Sequence, residues 1–100
     1  MTIHIESLHL EENRDFTKEI NEKIEHLGKK YPMIHQTNIV LRKEKSDVQK
    51  SCFLSAKVAI PGRTLFASEG QSDFRTAFDK VLQDLENQLK KTKELMQEKR

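Results

Sequence analysis

The chain has one cysteine, three glycines, two prolines and no tryptophan in its 100 residues. Each scarcity closes off a class of function. A lone Cys52 forms no internal disulfide and fits a reducing compartment. It also leaves no partner for a zinc cluster, and it falls on the apolar side of an alternating run, as a packed thiol does. The four histidines, His4, His9, His26 and His35, include no pair at the i, i+4 spacing of a helical metal site. Ser51, Ser55 and Ser68 lack any G-x-S-x-G setting, and Glu11 and Glu12 sit where solvated charge is the default. Residues 60–79, "IPGRTLFASEGQSDFRTAFD", contain no Cys, no His, no glycine-rich phosphate loop and no obvious nucleophile. No apolar run approaches the roughly 20 residues of a membrane span. The opening "MTIHIESLHL" alternates and is no signal peptide. These absences predict a soluble cytoplasmic protein with no membrane span and no metal site, and they leave an enzyme possible but unsupported.

What is present is charge, and a core just large enough for one domain. Charged residues make up 34 % of the chain and apolar ones 35 %. One hundred residues suit a single domain spanning 1–100, with one sheet covered on one face by helices. The net charge is only +2, but its distribution is uneven. Residues 1–28 hold three basic and seven acidic side chains, residues 29–63 eight and two, and residues 64–100 seven of each.

Alternation of Ile3, Ile5 and Ser7 with Thr2, His4 and Glu6 predicts a strand over about 2–8. Asn13 caps a helix whose apolar stripe is Phe16, Ile20, Ile24 and Leu27, stopping at Gly28, Lys29 and Lys30 ahead of Pro32. A second strand runs over about 35–45. A polar turn at 46–49 leads to a third, with Cys52, Leu54, Ala56, Val58 and Ile60 on one face. Pro61 and Gly62 make a tight turn into a fourth strand, "RTLFAS". Ser72 then caps a second helix beginning at Asp73, with Phe74, Ala77, Phe78, Val81, Leu82, Leu85 and Leu89 as its stripe. The fold class is α+β: a β-α-β-β-β-α order forming a four-stranded mixed sheet, the first two strands parallel, with both helices packed on one face.

The basic residues are numerous and grouped. On the second helix Lys80, Asn87 and Lys91 follow i, i+7, i+11 and share one edge, while Arg75, Lys90 and Lys93 lie toward the other. Lys18, Lys29 and Lys30 belong to the first helix, Arg42, Lys43 and Lys45 end the second strand, Lys50 and Lys57 lie around the third, and Arg63 is beside the turn. Any one such lysine reads as a solvated side chain. As a set, on a domain with no other visible site, they read as a footprint for a polyanion. Asp79, Asp84 and Glu86 among them argue against indiscriminate binding.

The run "AIPGRTLFASEGQSDFRTAFDKVLQDLENQLKKTK" together with "NIVLRKEK" resembles the ribosome hibernation-promoting factor / protein Y family. The likeness covers essentially the whole chain and is strongest over 58–93. It implies a non-enzymatic stress or stationary-phase factor in the cytoplasm, with no cofactor and no small-molecule substrate, a monomer when free. Its partner would be the small ribosomal subunit, through 16S rRNA and neighbouring ribosomal proteins, at the channel that holds mRNA and tRNA anticodon ends, so that translation stops. On this resemblance the principal rRNA contacts are Lys80, Asn87, Lys90, Lys91 and Lys93, with Lys23, Lys29, Lys30, Arg42 and Lys45 as weaker ones. Asn87 stands where the family pattern has arginine, and Asp84 at a position that is basic there. The chain also matches the short members, without a separate C-terminal dimerisation domain. Two other readings of the residues are a free double-stranded-RNA-binding module and a regulatory protein-interaction domain.

Overall fold

The computed structural model describes residues 1–8, 13–44 and 51–98. His9, the Glu11/Glu12 pair, Lys45, the turn at 46–49 and Lys50 lie outside the described residues. The elements are β1 (Thr2–Leu8), α1 (Arg14–Lys30), β2 (Gln36–Lys43), β3 (Cys52–Ile60), β4 (Arg63–Gln71) and α2 (Phe74–Glu98). The sheet order is β1-β2-β3-β4. β1 pairs parallel with β2, as a helical crossover between them requires, and the other two pairings are antiparallel.

Register then decides which side chains face the helices. Ile5, Ile39, Ala56 and Ala67 form one rung across all four strands. With Leu41, Leu54, Val58 and Leu65 they meet Ile20, Ile24 and Leu27 of α1 and Phe78, Val81, Leu85 and Leu89 of α2 in a single core. Both helices therefore cover one face. Each large apolar side chain removed from water there stabilises the fold by about 1.5–3 kcal/mol. The opposite face, carrying His4, Asn38, Lys57 and Phe66 as one rung, has no layer over it among the described residues.

Two local readings change, while α1 ends at Lys30 as read, with the Tyr31 N–H still donating to the Leu27 carbonyl at 2.9 Å. Pro32, which has no N–H to give, is the effective stop. β4 continues past Ser68 to Gln71 through Gly70, where the Phe53 ring lies so close that a Cβ would sit 2.6 Å from a ring carbon. Because the strand runs on, the switch to helix falls later, and the cap of α2 is Asp73 rather than Ser72. Its carboxylate accepts from the Thr76 N–H at 2.7 Å and the Thr76 hydroxyl at 3.0 Å. The Pro61-Gly62 turn is as read, with Gly62 at φ 82°, a left-handed conformation that side chains disfavour.

A candidate nucleic-acid interface on the second helix

α2 is 25 residues long, about 37 Å at 1.5 Å per residue, and the molecule measures 49 × 23 × 18 Å. Burying Phe78, Val81, Leu85 and Leu89 turns the opposite side of the helix to solvent. Lys80, Asn87, Lys90 and Lys91 all stand exposed there. None of the three lysines makes an ion pair among the described residues. Helical spacing puts Lys80, Asn87 and Lys91 in a line along the axis, with Lys90 flanking it.

The side of α2 that faces α1 is different. Here acids and bases from the two helices interlock. Lys23 lies 3.9 Å from Glu19 and 3.8 Å from Asp79, with its ammonium 5.8 Å from the centre of the Phe78 ring. Arg75 donates to Glu19 at 3.1 Å. Lys30 pairs with Glu86, and the hydrogen bond and charge of Glu86 raise the Lys30 ammonium above its ordinary pKa. Lys30 and Lys93 both approach the Tyr31 ring, at 5.8 and 6.0 Å from its centroid, within cation–π range.

The ten candidate residues therefore divide. The structure brings Lys80, Asn87, Lys90 and Lys91 together as an open ridge, with Lys93 at its α1 side. It engages Lys23 and Lys30 in the clasp between helices, while Lys29 is exposed beside that clasp. Arg42 is set apart: it alternates with buried Leu41, so it lies on the open face of the sheet, 3.0 Å from Glu44 and 5.2 Å over the Phe53 ring. Lys45 is outside the described residues.

Asp84, on the helix's other flank, is also occupied. It accepts from the Gln88 amide at 3.3 Å, and the same amide donates to the Phe66 carbonyl of β4 at 2.9 Å. The acid is thus drawn toward the sheet edge. The sequence candidates omit Phe53 and Phe66, although alternation with Leu54 and Leu65 already assigns both to the open face.

A cleft of about 540 Å³ between the starts of the two helices, lined by Asn13, Lys43, Asp73 and Arg75 among others, offers no catalytic pair. Asn13 caps α1 by accepting from Phe16 N–H at 3.1 Å, Asp73 caps α2, and Arg75 is held by Glu19. Among the described residues no group of three His, Cys, Asp or Glu side chains could hold a metal ion. No helix there is long and apolar enough to cross a membrane.

Comparison with known proteins agrees with this architecture. A ribosomal subunit interface protein from Coxiella burnetii superposes with a TM-score of 0.82 at 22 % identity, over 93 % of this chain and 98 % of that one. The N-terminal domain of Protein Y from Thermus thermophilus does so with a TM-score of 0.78 at 22 % identity, over 92 % and 99 %. At that identity the likeness establishes the fold. No curated protein matches in sequence. The family described as sigma 54 modulation protein / S30EA ribosomal protein, a description of ribosome-associated factors rather than of enzymes, matches residues 3–97. With that match spanning nearly all of its length, the chain belongs to the sigma 54 modulation protein / S30EA ribosomal protein family.

Proposed function

We propose that this protein binds the small ribosomal subunit at the channel for mRNA and tRNA, presenting the outer ridge of α2 to 16S rRNA, and so arrests translation in stressed or stationary cells. The observation that carries the reading is the contrast on α2 itself: Lys80, Lys90 and Lys91 point outward without carboxylate partners among the described residues, while Lys23 and Lys30 are neutralised in the interhelical clasp. Cations already satisfied within the fold gain little from a phosphate, whereas unpaired ones release counterions on contact. Asn87, between them, can donate and accept hydrogen bonds with phosphate or ribose. The family supports a ribosomal partner, and the relatives named above include a subunit interface protein.

The test is co-sedimentation with purified small subunits. Lys90→Glu combined with Lys91→Glu is expected to weaken association more than tenfold at moderate salt with an unchanged circular dichroism spectrum. It should also flatten the decline of affinity with salt, since each lost phosphate contact removes about one unit of slope. Undiminished co-sedimentation of the double variant contradicts the reading. Tight binding to bare RNA duplexes without ribosomes points instead to a free double-stranded-RNA-binding module.

A further inference from the structure

The open face of the sheet holds a second site. We propose that it binds an unpaired nucleotide, its base stacked on Phe66 in the groove between Phe66 and Phe53. The groove holds about 260 Å³ and is lined by Val40, Arg42, Phe53, Ser55, Phe66 and Ser68 among others. Phe66 is 52 % exposed, an unusual position for a phenylalanine on the outward side of an edge strand. Phe53 is turned across Gly70, which has no Cβ to obstruct it. Ser55 and Ser68 face each other in register between the two rings and place two hydroxyls on the floor.

The cations fit the same occupant. Lys57 is the register partner of Phe66, is exposed, and makes no ion pair among the described residues. Arg42 lays its guanidinium over Phe53, a second flat surface on which a base can stack. Two aromatic walls, a hydroxyl floor and a lysine beside the exposed ring suit a base, its edge and its phosphate respectively. An apolar protein side chain would use the rings and leave the paired hydroxyls unmatched.

The inference rests on the proposed function only for its setting, since the ribosome is where such a nucleotide would be met. In a molecule 18 Å across its thinnest dimension, RNA surrounding it would reach both the α2 ridge and this face.

The chain has no tryptophan, so Phe66→Trp installs its one tryptophan, excited selectively over Tyr31, at the stacking position. Titration of that variant with single-stranded RNA hexamers at near-physiological salt is expected to give saturable quenching. Duplex RNA should not quench. Adding Lys90→Glu and Lys91→Glu should preserve the quenching, and adding Lys57→Gln should weaken it severalfold. In a separate polarisation assay Phe66→Leu, which keeps the apolar bulk but not the π face, should lose about 5- to 100-fold in hexamer affinity relative to the unsubstituted chain. The proposal is overturned if no hexamer quenches, if the leucine variant binds as well as phenylalanine, or if the tryptophan responds only to RNA-free ribosomal proteins. Co-sedimentation of the α2 variant is scored independently, so either idea can fail alone.

Discussion

Asp73 illustrates how much one side chain decides. It is the last residue before α2, and the hydrogen bonds it accepts from the backbone N–H and then the hydroxyl of Thr76 hold its carboxyl below the ordinary aspartate pKa. A carboxyl lowered in the folded state contributes stability above its unfolded value, about 3.9. That contribution is lost as pH falls through the lower folded value. Asp73→Asn keeps a capping oxygen but does not titrate. Thermal melts from pH 6 down to pH 2 should therefore show the aspartate protein ahead at the upper end, with the gap to the asparagine variant closing below pH 4. A gap independent of pH contradicts this account of the cap. The sequence reading puts the cap at Ser72, and Asp73 takes that role because β4 runs on to Gln71. That length depends on Gly70, which reads as a strand breaker until the ring of Phe53 is seen lying across it.

At the scale of the element, α2 has two jobs on opposite sides. Leu85 is fully buried against the sheet, and Leu85→Ala is expected to cost about 2–5 kcal/mol in denaturant unfolding. A loss under 1 kcal/mol would show that the helix is not anchored by that stripe. This apolar side is legible from the sequence because burial imposes a period: steps of three and four place Phe78, Val81, Leu85 and Leu89 together whatever the partner. The strands are legible for the same reason, their alternation being strict from Cys52 to Ile60. The clasp between helices is not legible. Whether Lys23 meets Asp79, or Lys30 meets Glu86, depends on how the two helices are rotated and offset, which the periodicity of either one alone does not contain. So helical spacing alone does not show that Lys23 and Lys30 are paired and Lys90 is not, and the fold does. Arg42 is the opposite case, since its alternation with Leu41 already places it on the face away from the helices.

The molecule is a thin slab in which Lys23, Lys30 and Arg75 meet carboxylates between the helices, while Lys80, Lys90 and Lys91 stand along the outside of α2 without ion pairs among the described residues. The central claim is that the molecule seats its α2 ridge on rRNA lining the decoding channel. Cys52 is buried, so Gln83→Cys, at an exposed α2 position that is not one of the named contacts, provides one accessible thiol to which an iron–EDTA probe can be tethered. Bound to purified small subunits, the tethered protein generates hydroxyl radicals that cut RNA within reach of α2. The account predicts breaks in 16S rRNA clustered along the mRNA and tRNA channel, suppressed when mRNA and tRNA are bound beforehand. Breaks confined to the outer surface of the subunit, or none at all from a protein that still sediments with it, would contradict it.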